Sequence, residues 1–80
     1  MRLDKFLKVS RIIKRRTVAN EAADNGRILI NGREAKASSA VKVGDILEIK
    51  FGDKIQKVKI LKVEEHALKE DASKTYEVME

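Results

Sequence analysis

Apolar residues in the opening segment fall at Leu3, Phe6 and Leu7, with Ser10 completing an i, i+3, i+4, i+7 stripe along one helix face. This spacing predicts a helix from Arg2 to about Ser10, with Arg2, Lys5 and Lys8 on the side that cannot enter a core. Ile12 and Ile13 are expected to turn back to the core in a short connector, ahead of Lys14-Arg15-Arg16. Thr17 is then placed to cap a second helix through its hydroxyl. Along that helix Val18 with Ala22, and Ala19 with Ala23, form i, i+4 pairs on a shared packing face, and Asn20, Glu21, Asp24 and Asn25 look outward. Gly26 supplies the left-handed residue that ends it.

After Gly26 the period becomes extended. Ile28-Leu29-Ile30, Asn31-Gly32 and Arg33 to Lys36 read as a hairpin, because both turn positions tolerate φ > 0. Residues 37–43 make a polar connector. Gly44-Asp45 then opens a strand in which Leu47, Ile49 and Phe51 alternate with polar neighbours, and both phenylalanines are expected in the core. Gly52-Asp53 turns into a strand over 55–63 whose apolar phase shifts at Ile60-Leu61, as a bulge or strong twist would produce. Residues 64–74 read as a loop or one helical turn, and 75–79 alternates like a closing edge strand. The fold class is therefore α+β, two N-terminal helices packed on a small, mostly antiparallel sheet. A chain of 80 residues is expected to form one domain, with its main body over 1–62 and an acidic C-terminal tail over 63–80.

Charge sharpens this picture. The chain carries +5 overall, but residues 1–36 hold +6 and residues 37–80 hold −1. Seven of the first sixteen residues are basic, on one helix face and the bend after it. Such a cluster points to a polyanion partner; a solvated lysine-rich surface is the alternative. Engaging about six phosphates would give a log–log salt slope near −5 on a duplex. Some of the arginines could instead pair with Asp4, Glu21 or Asp24, in exposed contacts worth at most about 1 kcal/mol each.

The chemistry of catalysis is thin. There is no cysteine, and therefore no disulfide, thiolate nucleophile or thiolate metal site. His66 is the sole histidine, too few for a His-based metal site or a triad, and reads as a surface residue. Ser10, Ser38, Ser39 and Ser73 stand in no nucleophile-elbow context, and the consecutive pairs Glu64-Glu65 and Glu70-Asp71 face different ways. No enzyme activity, metal or cofactor is expected. No apolar run nears the roughly 20 residues of a membrane span, so no membrane partner and a cytoplasmic location are expected. Three aromatics are too few for a stacking platform, and the second helix lacks a groove-reading face, which leaves structured RNA recognised by its backbone.

Five separated blocks then form a pattern: 1–7 (MRLDKFL), 14–19 (KRRTVA), 26–32 with its Gly-Arg-Ile and Ile-Asn-Gly, 36–39 (KASS) and 41–45 (VKVGD). Together they resemble the RNA-binding domain first described in small-subunit ribosomal protein four, the alpha-L motif, over about residues 1–51. Over its whole length the chain is similar to the short stand-alone bacterial members of the RqcP type, and to the heat-shock protein fifteen group. The resemblance implies a non-catalytic factor of ribosome-associated quality control. Such a factor binds large-subunit ribosomal RNA and obstructing peptidyl-tRNA, and supports alanine tailing of stalled chains by the partner RqcH. Carried onto this sequence, it implies that Arg2, Lys5, Lys14, Arg15 and Arg16 hold RNA phosphates. Lys8 and Lys36 would be flanking contacts, with Arg11 at the margin; Asn31 and Gly32 serve the turn. A monomer is expected. A ribosome assembly factor, or an RNA-targeting accessory domain for a modifying enzyme acting in trans, stays open.

Overall fold

The computed structural model describes residues 1–64, 72 and 74–79. Helix α1 (Leu3–Val9) forms where the apolar stripe predicted it. Leu3, Phe6 and Leu7 are fully buried, each worth about 1.5–3 kcal/mol of hydrophobic transfer. Arg2 at its N-cap makes no side-chain cap bond; Leu3 N donates to Ser39 O (2.8 Å) and Asp4 N to Ala37 O (3.2 Å). The connector after the hairpin thus closes the open end of α1, and Val41 N donates back to Met1 O (2.9 Å). At the other end the Ser10 hydroxyl donates to Leu7 O (3.2 Å) and Arg11 turns left-handed at φ +61°. Ile13 then enters the core and Ile12 packs half-buried against it.

Helix α2 (Arg16–Asp24) begins two residues earlier than a Thr17 cap requires. Arg15 holds the cap position with no side-chain hydrogen bond, so Thr17 lies inside the first turn and does not cap. Ala19 and Ala23 are fully buried, letting the helices approach closely. Val18 departs from expectation: it is 47% exposed, because the seam against α1 follows Ala19 and Ala23 rather than the pair one residue earlier. Asn20 likewise turns toward α1 instead of solvent.

Gly26, at φ +76°, ends α2; a Cβ there would collide with the Glu34 carboxylate. Strands β1 (Ile28–Ile30) and β2 (Arg33–Glu34) follow, joined by Asn31 (φ +51°) and Gly32 (φ +84°) in the predicted hairpin turn. Asn31 does more than turn the chain. Its amide donates to Asp45 Oδ1 (3.1 Å) and its carbonyl accepts from Ile46 N (2.9 Å), fastening the hairpin to the start of β3 (Ile46–Phe51).

With β4 (Lys54–Ile60) and β5 (Tyr76–Met79) these make one antiparallel sheet in the order β2-β1-β3-β4-β5. Register sets Ile30, Leu47, Val58 and Val78 in one cross-strand row. Inward residues Ile28, Leu47, Ile49, Val58 and Ile60 join the helices in a single core. Phe51 does not: it ends β3 at the hairpin tip, 45% exposed. The phase shift after Ile60 coincides with the end of β4, where the N–H groups of Leu61 and Lys62 both donate to Thr75 O (2.8 and 3.2 Å). Two residues thus oppose one, as in a bulge. The loop or helical turn expected over 64–74 falls largely outside the described residues, as do His66, Ser73, Glu65, Glu70 and Asp71.

Candidate nucleic-acid interface

The apolar stripe of α1 fixes the placement of Asp4, next to Leu3 and one turn before Leu7. Its carboxylate is only 2% exposed although it sits in the first helical turn, where negative charge is favoured. Oδ1 accepts from Lys5 N (2.8 Å) and pairs with Arg2 Nε (3.3 Å). Oδ2 accepts from Arg2 Nη2 (3.3 Å) and Asn20 Nδ2 (3.2 Å), and pairs with Arg16 Nε (3.5 Å). Burial pushes the Asp4 pKa up, but the hydrogen bonds from Asn20, the Lys5 backbone and Arg16, with the Arg16 charge, hold it below the ordinary 3.8. The group is therefore an anion at neutral pH.

One buried acid thus organises two arginines from different helices. Arg2 and Arg16 keep side chains 51% and 47% exposed, so both guanidiniums stay open to a partner while held to the carboxylate. Arg2, Asp4, Arg16, Thr17, Asn20 and Glu21 line an open groove of about 450 Å³. Asp4 offsets one of the two positive charges; Glu21, which also lines the groove, offsets the other, so the net positive field comes from the basic residues outside the lining. Arg2 gives Nε and Nη2 to the Asp4 carboxylate, and the exposed guanidinium groups offer charge-assisted donors of the kind that suit phosphate oxygens.

Of the seven basic residues expected to hold RNA, Arg2 and Arg16 line this groove and the other five lie outside its lining. Lys14 and Arg15 are exposed on the connector leading into α2, and Lys8 is exposed in the last turn of α1. Among the described residues, none of these three pairs with an acid. Lys36 is exposed one residue before Ala37, whose carbonyl receives the Asp4 N–H, so it borders the same end of α1. Lys5 is half-buried and gives its backbone N–H to Asp4. Asp24, weighed as an arginine partner, instead accepts Ala37 N (3.1 Å) and ties α2 to the connector.

The sequence offered Asp4 as a partner of the arginines in an exposed contact; the structure buries that contact and adds Asn20, which sequence reasoning had facing outward. The detectable signal was a carboxylate flanking an apolar helix stripe, with Arg16 and Asn20 spaced i, i+4 on the next helix. Among the described residues no group of three His, Cys, Asp or Glu side chains could hold a metal, and no helix is long and apolar enough to cross a membrane.

Comparison with known proteins identifies the family and the fold. The S4 domain family model matches residues 1–47, the segment that builds both helices and the hairpin. The RQC P-site tRNA stabilizing factor of Streptococcus pneumoniae is 58% identical over 79 residues, 99% of this chain and 90% of that protein. Its Bacillus subtilis counterpart is 56% identical over 79 residues, 99% and 92% of the two chains. The structure of heat shock protein 15 from Vibrio cholerae superposes with a TM-score of 0.90 at 28% identity, over 99% of this chain and 81% of that one. With a family model over residues 1–47 and relatives 56% and 58% identical along nearly the whole chain, the chain belongs to the S4 domain family, among the relatives named RQC P-site tRNA stabilizing factors.

Proposed function

We propose that the chain is a non-catalytic RNA-binding factor of ribosome-associated quality control. It binds large-subunit ribosomal RNA and P-site peptidyl-tRNA together, and so supports alanine tailing of the stalled chain by RqcH. The observation that carries this reading is the Arg2–Arg16 pair, preset by buried Asp4 and half exposed at the mouth of a groove. Lys8, Lys14, Arg15 and Lys36 enlarge the positive field around that mouth, with Lys5 beside it on α1. The names of relatives near 58% identity support the choice of tRNA and the quality-control setting. Two modest RNA contacts made at once reinforce each other through effective concentration, so a small monomer can hold one tRNA position without a large interface.

Co-sedimentation with large ribosomal subunits, with and without peptidyl-tRNA, tests the proposal. Wild type is expected to pellet with tRNA-bearing subunits and Arg16→Glu to be released, read well below the variant's melting temperature because the new carboxylate faces buried Asp4. Retention of Arg16→Glu at the same salt would overturn the assigned surface. Preferential recovery on immature particles would instead identify an assembly factor, and recovery with a modifying enzyme but without large-subunit RNA an accessory domain.

A further inference from the structure

Arg11 occupies a backbone conformation that L-residues avoid. It follows the last turn of α1 with φ +61°, in the left-handed region where glycine sits without strain and other residues crowd Cβ against the next carbonyl. The turn itself is closed by backbone and by Ser10: Arg11 N donates to Lys8 O (3.0 Å), Ile13 N to Leu7 O (3.1 Å) and the Ser10 hydroxyl to Leu7 O. None of these contacts uses the Arg11 side chain. That side chain is exposed and, among the described residues, pairs with no acid. The fold thus bears a strained position without employing the group that occupies it, a combination found where a site needs the side chain.

The neighbours indicate what the site needs. Lys8 precedes Arg11 by one turn, and Lys14 and Arg15 follow it on the same exposed connector, with no acidic residue from Lys5 to Thr17. We propose that Arg11 is an RNA-phosphate contact, and that the chain keeps arginine rather than glycine at the end of α1 to extend the grip beyond the groove toward a second stretch of backbone. This rests on the reading that RNA lies against this face.

The test measures two quantities on Arg11→Gly, Arg11→Asn and Arg11→Lys: the melting temperature, and the affinity for purified large ribosomal subunits across a salt series. Glycine and asparagine both accept the left-handed conformation, so these variants are expected to melt no lower than wild type. Their affinity should fall about ten-fold near 0.1 M salt, with a log–log slope shallower by about one, while Arg11→Lys keeps the wild-type slope. Unchanged affinity and slope in Arg11→Gly and Arg11→Asn, with Arg16→Glu released, would overturn this inference and leave the proposed function standing. Lower melting with an unchanged slope would also overturn it, by making Arg11 a helix-end residue that serves stability. If Arg16→Glu binds undiminished as well, the surface reading fails and the inference fails with it.

Discussion

Replacing Asp4 with asparagine separates two explanations of the cationic face that otherwise agree. The substitution keeps the side-chain shape but removes the charge that Arg2, Arg16, Asn20 and the Lys5 N–H converge on. Hydrogen bonds to a charged acceptor are worth about 1.5–3 kcal/mol, and asparagine retains one carbonyl acceptor. The half-exposed arginine pairs add at most about 1 kcal/mol each. A net loss of about 2–3 kcal/mol follows, lowering the melting temperature of a domain this size by roughly 10–20 °C. Binding discriminates further. Net charge rises from +5 to +6, so a surface that attracts RNA only through its total charge would bind more tightly. If Asp4 instead holds both arginines in place, freeing them costs about 0.5–1.5 kcal/mol per side chain, and affinity for large subunits falls about ten-fold or more. The assay is a binding titration well below the variant's melting temperature, paired with thermal melts. Tighter binding or an unchanged melting temperature would refute the presetting role of Asp4.

Further expectations follow from the same contacts. Because the folded Asp4 pKa lies below its ordinary 3.8, the carboxylate stabilises the fold above the unfolded value, and that contribution disappears as pH falls through the folded one. Thermal melts from pH 7 to pH 3 should therefore show the gap between wild type and Asp4→Asn narrowing as the pH falls below about 4. Asn31→Ala loses the bonds to Ile46 N and Asp45 as well as tolerance for φ +51°, and is expected to lose about 2 kcal/mol. Asn31→Gly, which accepts that φ, should recover about half of the loss in denaturant titration. Neither variant should alter the salt slope of RNA binding, since Asn31 serves the hairpin.

The parts of the fold legible in the sequence are those set by local physics. The Leu3, Phe6 and Leu7 stripe, the left-handed Gly26 and the Asn31-Gly32 turn each need only a few neighbouring residues to define them, and each stands where the pattern placed it. What escaped depends on how elements meet. Thr17 has the chemistry of a cap, but α2 starts at Arg16 and leaves its hydroxyl inside the first turn. Val18 and Phe51 fit apolar phases that the packing does not continue, one beside the alanine seam and the other at the tip of a strand pair. The candidate site divides the same way. Its cations were visible as a run of Lys and Arg, whereas the Asp4–Asn20 link joins residues sixteen apart across two helices and exists only once Ala19 and Ala23 let those helices close.

Electron cryo-microscopy of the protein bound to large ribosomal subunits carrying peptidyl-tRNA tests the central claim most directly. The account places Arg2, Arg16 and the groove between α1 and α2 against ribose-phosphate backbone, with the outer face of the sheet turned away. Density showing the sheet seated on the subunit, and the Asp4-centred arginine pair facing solvent, would contradict it.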